Sequence, residues 1–168
     1  MELWDAYDSS FKKLEKKTLV RGERIPFGMY HLVCDILVRH VDGMFLLMLR
    51  DKRKKHGGLW EASAGGSAIK GETPLECAVR ELREETGIKA DDIREIGREQ
   101  NTKNRALYVE FLCITDADKD SIVLQEGETA GYRWVAYEEL ISMQGRGLSS
   151  PRILKYLDAL QEEPSGGQ

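Results

Sequence analysis

The sequence is poor in cysteine, with only Cys34, Cys77 and Cys113 among 168 residues. Their number is odd, they are widely separated, and their spacing matches no metal-binding cysteine motif. The sequence also lacks a signal peptide, a lipidation motif and an apolar run long enough to span a bilayer. We therefore expect reduced thiols in a cytoplasmic protein that makes no contact with membranes.

A strong excess of one charge is also missing. The chain has 25 basic and 29 acidic residues and a net charge of −4, which does not indicate general binding to nucleic acid. With 41% hydrophobic residues it can bury a core of ordinary size. We expect one domain over residues 1–168, in which residues 1–27 form an N-terminal leader and residues 164–168 form a frayed tail.

What the sequence does have is a predicted glycine-rich loop that runs into a short, highly charged helix. Thr73 suits the N-cap of this helix, Pro74 suits its first position, and Glu76 completes a capping box. Gly87 is the expected end, because glycine readily adopts the left-handed conformation found after helices. The predicted helix therefore extends from position 74 to position 86.

Three carboxylates, those of Glu81, Glu84 and Glu85, share one face of this predicted helix. The predicted apolar face contains Leu75, Ala78, Val79, Leu82 and Thr86. Like charges at this spacing destabilise a helix by about 0.2–0.5 kcal/mol per pair. Either Arg80 neutralises a solvated face, or the carboxylates bind a ligand beside the backbone of Gly66. Carboxylate and carbonyl oxygens are the ligands that Mg²⁺ and Mn²⁺ prefer.

Residues 66–88 resemble the Nudix box. Every fixed position of that pattern is filled, by Gly66, Glu72 and then Arg80-Glu81-Leu82-x-Glu84-Glu85-x-Gly87-Ile88. The resemblance implies an α+β protein with the Nudix α/β/α sandwich and a central mixed β-sheet, where residue patterns alone indicate only a mixture of helices and strands. It also implies a hydrolase that uses a divalent cation, Mg²⁺ or Mn²⁺, to cleave a diphosphate bond in a nucleoside diphosphate linked to another moiety.

The resemblance implies a role for each residue of the predicted site. Glu81, Glu84 and Glu85, together with the carbonyl oxygen of Gly66, would bind the metal. Glu81, Glu84 and Glu128 would be catalytic, with Glu81 and Glu128 as the two candidates for the general base. Metal ions lower the pKa of bound water, so this set predicts metal-assisted hydrolysis.

Arg50 and Trp60 are the candidates for contacting the small-molecule diphosphate substrate. Arg50 ends a predicted strand and begins a basic segment, whose cations would offset the repulsion between phosphates and the carboxylates. Trp60 belongs to a Gly-x-Trp-Glu-x-Ser pattern common in the family before the box. A solvated loop around Arg50 and a purely structural Trp60 are the alternatives.

The leader more weakly resembles the isopentenyl-diphosphate-isomerase-like branch of the same superfamily. The resemblance rests on scattered positions, Trp4, Asp5, Asp8 and Tyr30-His31. Leaders in that branch often pack at one edge of the fold or contribute to dimer contacts, which leaves a homodimer open. An isomerase is thus one alternative function, although the sequence lacks the Asn-Thr-Cys context of that activity. A nucleotide-sensing module without turnover is the other.

Hydrophobic patterning predicts the remaining elements. Two short strands at residues 3–7 and 17–21 should form an N-terminal hairpin. Further strands are predicted at residues 29–40, 45–50, 93–100, 105–115 and 131–135. Helices are predicted at residues 137–144 and from position 150 to Pro164, the latter with an apolar stripe that includes Leu160.

Overall fold

The computed structural model describes residues 1–149 and 151–158. The strands in this part of the chain are β1 (Leu3–Tyr7), β2 (Lys13–Val20), β3 (His31–His40), β4 (Phe45–Arg50), β5 (Trp60–Ala62), β6 (Ala64–Ser67), β7 (Asp92–Asn101), β8 (Ala106–Thr115) and β9 (Thr129–Val135). The helices are α1 (Pro74–Thr86), α2 (Tyr137–Ser142) and a 3₁₀ helix (Pro151–Tyr156). Within the described residues, no helix has the length and apolar character needed to cross a bilayer.

Seven strands form the central sheet, in the order β5-β4-β3-β8-β7, with β6 paired to β3 and β9 paired to β4. Strands β3 and β8 are parallel along their whole length, whereas β7 is antiparallel to β8 and β9 is antiparallel to β4. The sheet is therefore mixed, as the resemblance implied.

Helices cover both faces of the sheet. Leu46 faces a core cluster that includes Leu82 of α1, and its neighbour Leu47 faces a second cluster that includes Leu140 of α2. Consecutive residues of a strand point to opposite faces, so a strand covered on both sides is apolar at every position. Burying each leucine side chain contributes roughly 1.5–3 kcal/mol. The α+β class and the α/β/α arrangement are confirmed.

Helix α1 begins and ends where the sequence predicts. The Thr73 Oγ1 atom accepts a hydrogen bond from the Glu76 N–H at 3.2 Å, and Glu76 Oε2 accepts one from the Thr73 N–H at 2.9 Å. At the other end Gly87 has a φ of 78°, and its N–H donates to the Arg83 carbonyl. Local signals alone were sufficient here, because each cap satisfies backbone groups that a helix leaves unpaired.

The predicted apolar face of α1 is wrong at two positions. Leu75 and Val79 are 49% and 38% exposed, whereas Cys77 and Glu85 are buried. Helix α1 packs against β6, whose central residues are glycines without side chains. The buried face of α1 therefore includes Glu85, one of the three carboxylates.

Two short strands were missed, and the last helix differs from its prediction. The glycine-rich segment is not a loop, because β6 pairs with β3 and places Gly66 opposite Cys34. The second missed strand, β5, pairs with β4. The last helix begins as a 3₁₀ helix rather than an α-helix. The predicted contribution of Leu160 and the predicted end at Pro164 lie outside the described residues.

The predicted N-terminal hairpin is confirmed, although β2 begins earlier than expected, at Lys13. Its strands form a separate two-stranded sheet with a small core that includes Trp4 and Leu19. The Trp4 ring also stacks on His31, with 4.3 Å between ring centroids. This stacking joins the hairpin to the first residue of β3.

Candidate active site

Strand β6 and helix α1 hold the carboxylates of the predicted site against the protein backbone. A Cβ atom on Gly66 would lie only 2.3 Å from Glu81 Oε1, so the Glu81 carboxylate occupies the space that a side chain would need. The Glu85 carboxylate accepts a hydrogen bond from the backbone N–H of Gly65. The first contact requires a glycine at position 66, because a side chain there would overlap the Glu81 carboxylate.

Five glutamates, Glu2 and the four described next, line one cavity of about 280 Å³, which we call the carboxylate cavity. Glu81, Glu84 and Glu85 project from α1, and Glu128 lies on the turn before β9. Gly66 lines the same cavity. The residues predicted to bind metal and both candidates for the general base are thus brought together.

Two basic side chains, those of Arg80 and Lys54, form ion pairs with these carboxylates. The Arg80 guanidinium lies 2.7 Å from Glu81 Oε1 and 3.3 Å from Glu84 Oε2, and its Nε atom lies 2.6 Å from Glu72 Oε1. Lys54 pairs with Glu128 from the basic segment. Among residues 1–149 and 151–158, no three acidic, histidine or cysteine side chains are close enough to enclose a metal ion. A cation bound at this helix would compete with Arg80 for the carboxylates of Glu81 and Glu84.

Burial makes negative charge costly at two of these glutamates. Glu85 is only 6% exposed, and this burial raises its pKa well above the ordinary value, as does repulsion from Glu61 and Glu81. Burial likewise raises the pKa of Glu81, although Arg80 offsets part of the effect. Hard carboxylate oxygens with destabilised charges fit a divalent cation, which would neutralise them.

The carbonyl oxygen of Gly66, also a predicted metal ligand, faces helix α1. The Cys77 thiol donates to it at 3.6 Å. In the described structure this carbonyl thus has a partner in the core, and its role as a metal ligand stays a prediction.

A second cavity of about 210 Å³ adjoins the first, and we call it the adjoining cavity. The two share the lining residues Val33, Gly65 and Gly66. Arg50 lines the adjoining cavity, where its Nη1 atom lies 2.6 Å from Glu61 Oε2. The structure thus places Arg50 next to the carboxylate cavity rather than inside it.

Trp60 is not among the residues that line either cavity. Its ring lies 4.9 Å from the Arg133 guanidinium, and its backbone forms a bridge with Leu148. These contacts are structural, and the predicted contact with substrate stays a prediction.

Sequence reasoning missed a buried charge cluster in the adjoining cavity. Arg152 Nε lies 3.3 Å from Glu110 Oε1, and the same guanidinium pairs with Asp35 and covers the Tyr108 ring at 3.5 Å. Burial and repulsion from Asp35 raise the pKa of Glu110 to about 8. The available signal was a glutamate at an inward position of an otherwise apolar strand, which demands a buried partner.

No cysteine lines either cavity, and all three cysteines are free and buried. Burial raises the pKa of Cys113 to about 11, which keeps its thiol protonated at neutral pH. The thiol that the isomerase alternative requires is therefore absent from both cavities.

Comparison with known proteins identifies the family. The family model of the NUDIX domain matches residues 29–157. An uncharacterised Nudix hydrolase of Listeria innocua is 33% identical over 149 residues, which cover 88% of this chain and 87% of the relative. The NAD-capped RNA hydrolase NudC of Haemophilus influenzae is 31% identical over 116 residues, which cover 67% of this chain and 43% of NudC.

Among solved structures, the crystal structure of DR0079 from Deinococcus radiodurans matches with a TM-score of 0.73 at 19% identity. The match covers 94% of this chain and 98% of DR0079, and at this identity it shows a shared fold. The family match and the Listeria relative show that the chain belongs to the NUDIX family and is a hydrolase of the kind that acts on pyrophosphate bonds.

Proposed function

We propose that the protein is a Mg²⁺-dependent hydrolase that cleaves the phosphoanhydride bond of a nucleoside diphosphate linked to another moiety. The observation that carries this proposal is the convergence of Glu128 and the three glutamates of α1 on one cavity, with Lys54 and Arg80 beside them. Carboxylates in such number repel a diphosphate unless a divalent cation lies between them. Mn²⁺ has the same ligand preference and would substitute for Mg²⁺.

In this proposal Glu81, Glu84 and Glu85 hold the cation, with the Gly66 carbonyl as a further ligand. A bound Mg²⁺ would neutralise phosphate oxygens and lower the pKa of a coordinated water. The protein's own task is then to fix the position of the reacting groups and to exclude alternative arrangements. The close contact between Glu81 and Gly66 serves that purpose, because it leaves the carboxylate little freedom.

Two carboxylates are candidates for accepting the proton of the attacking water. Glu81 is fixed against β6, whereas Glu128 is 39% exposed and is held across the cavity by Lys54. Replacing each by glutamine separates the two roles, since the loss of the base lowers kcat without a matching change in metal affinity. The loss of a metal ligand lowers both.

The adjoining cavity would hold the part of the substrate beyond the scissile bond, with Arg50 as a contact. Its shared wall with the carboxylate cavity supports this placement. NudC, which is named for NAD-capped RNA, matches over less than half of its own length, so the proposal names only the substrate class. Three free thiols suit a reducing compartment such as the cytoplasm. The homodimer stays a prediction, which analytical ultracentrifugation would check.

A hydrolysis screen in H₂¹⁸O tests the proposal. The substrates are ADP-ribose, other nucleoside diphosphate sugars, dinucleoside polyphosphates, oxidised nucleoside triphosphates and isoprenoid diphosphates, each assayed with Mg²⁺ and with EDTA. We expect Mg²⁺-dependent cleavage of a linked nucleoside diphosphate, and the labelled product identifies the phosphorus attacked. Double-bond migration in isopentenyl diphosphate, or metal-dependent binding without any product, would instead support one of the two alternatives.

A further inference from the structure

The N-terminal hairpin reaches the carboxylate cavity, although it precedes the residues that match the family. The family match begins at position 29, after both β1 and β2. Glu2 and Arg21, which flank these two strands, nevertheless line the cavity together with the glutamates of α1. The wall of the cavity is thus incomplete without the hairpin.

The hairpin is attached to the loop that leads into α1. The buried Asp5 carboxylate accepts a hydrogen bond from the Gly71 N–H at 2.8 Å, and the Leu3 carbonyl accepts one from the Lys70 N–H at 2.8 Å. The Lys70 ammonium also donates to Thr18 Oγ1 at 3.0 Å. Three hydrogen bonds from two neighbouring loop residues fix the position of the hairpin relative to the site.

A series of contacts then positions Arg21 at the cavity. The Trp4 indole, stacked on His31, donates a hydrogen bond to Glu2 Oε1 at 2.7 Å. The other oxygen of that carboxylate lies 3.2 Å from Arg21 Nη1, and the Arg21 N–H donates to the Glu2 carbonyl at 3.0 Å. The Glu2 carboxylate therefore links the Arg21 guanidinium to the buried Trp4 of the hairpin. The Arg21 side chain nevertheless stays 67% exposed.

Arg21 is the cation of this cavity with the most donor capacity left for a ligand. Arg80 contacts three carboxylates, and Lys54 is paired with Glu128. Within the described part of the chain, the Arg21 guanidinium contacts one carboxylate, through one nitrogen. Because guanidinium groups donate two parallel hydrogen bonds to phosphate oxygens, the remaining nitrogens suit a diphosphate.

We propose that Arg21 binds the phosphates of the substrate, so that the N-terminal hairpin forms part of the substrate-binding site. The inference rests on the proposed function only in taking a diphosphate as the ligand. It assigns a binding role to a segment outside the family match.

Binding of methylenediphosphonate, a diphosphate that cannot be hydrolysed, tests this inference. Titration calorimetry with Mg²⁺ present compares the wild type with Arg21→Ala and Arg21→Lys, with Arg24→Ala as the matched control. Arg24 belongs to the same segment but lines a different cavity, which it shares with Thr18 and Met29. We expect Arg21→Ala to weaken binding by about tenfold or more, the size of a lost charge-assisted hydrogen bond.

Arg21→Lys should retain part of the affinity, since it keeps the charge but loses the bidentate geometry, and Arg24→Ala should stay within about twofold of the wild type. Equal binding by the wild type and Arg21→Ala would overturn the inference, as would an equal loss in Arg24→Ala or the absence of binding by the wild type. Unchanged thermal midpoints exclude unfolding as the cause.

The kinetic comparison separates this inference from the proposed function. If a linked diphosphate is hydrolysed, Arg21→Ala should raise KM by about tenfold and change kcat by less than about threefold. An unchanged KM would contradict the role of Arg21 and leave the hydrolase assignment intact. If the wild type hydrolyses nothing, the proposed function fails, and the binding measurement still decides the role of Arg21.

Discussion

Replacing Gly66 by alanine should displace the carboxylate of Glu81. The added Cβ would lie 2.3 Å from Glu81 Oε1, 2.4 Å from Cδ and 2.7 Å from Oε2, whereas an ordinary contact begins at 3.4 Å. The carboxylate must therefore move by about 1 Å, and a misplacement of this size can lower activity by on the order of 10²-fold. Since the displaced atoms end a flexible side chain, the fold should be retained.

The assay is kcat/KM with Mg²⁺ on the substrate found in the hydrolysis screen, together with the thermal midpoint. Gly131→Ala is the matched control, because Gly131 also lies in a strand and its added Cβ would meet Leu49 at 3.7 Å, an ordinary contact. We expect wild-type activity from the control. Full activity in Gly66→Ala would refute the argument that Glu81 must rest against β6. A markedly lower thermal midpoint would contradict the expectation that the fold is retained.

Two further substitutions probe the buried charges. Glu85→Gln should lower turnover by on the order of 10²–10⁴, yet stabilise the metal-free protein at neutral pH. Burial raises the folded-state pKa of Glu85 above 4.5, so the folded chain keeps a proton that the unfolded chain loses, and stability falls as pH rises through that window. Arg152→Met should cost about 3–5 kcal/mol, because it leaves the adjacent carboxyl groups of Asp35 and Glu110 without the cation that contacts both of them. Lys155→Met, which breaks an exposed pair with Glu99, should cost less than about 1 kcal/mol.

Urea unfolding in EDTA measures these stabilities. The gain in Glu85→Gln should be larger at pH 8 than at pH 5, since the wild type loses stability as the pH rises from the unfolded-state pKa of 4.5 toward the higher folded-state pKa. A gain that does not vary with pH would contradict the assigned cause. For Arg152→Met, a cost no larger than that of the Lys155 control would show that the buried cluster contributes little to stability.

The sequence predicted features that depend on neighbouring residues. The ends of α1 follow from Thr73, Pro74, Glu76 and Gly87, whose side chains and backbone act within one helical turn. Strands β3, β4 and β8 follow from apolar runs. By contrast, β5 and β6 have three and four residues, too few for an alternating pattern, and the glycines of β6 resemble a loop in composition.

Features that depend on distant residues could not be predicted in the same way. The parallel pairing of β3 with β8 joins His31 to Ala106, and no local pattern specifies such a partner. The exposure of Leu75 and Val79 depends on which side of α1 packs against the sheet. The contact between Arg152 and Asp35 joins the last described helix to β3.

The same distinction between features set by neighbouring residues and features set by distant residues applies to the candidate site. The glutamates of α1 were predicted as a group because helical periodicity places them on one side, and Glu128 was added by resemblance. Their ion pairs with Arg80 and Lys54 could be identified only in the folded structure, because Lys54 meets Glu128 only where two loops converge. Nothing in the sequence indicated that Arg21 lines the same cavity.

The most direct test of the central claim is the anomalous diffraction of Mn²⁺ in crystals soaked with methylenediphosphonate. Metal-assisted hydrolysis predicts a Mn²⁺ peak within coordination distance of Glu81, Glu84 and Glu85, with Arg80 moved away from the first two and phosphonate oxygens on the metal. A map without a metal peak at this helix, with Arg80 still bound to both carboxylates beside the ligand, would contradict the account.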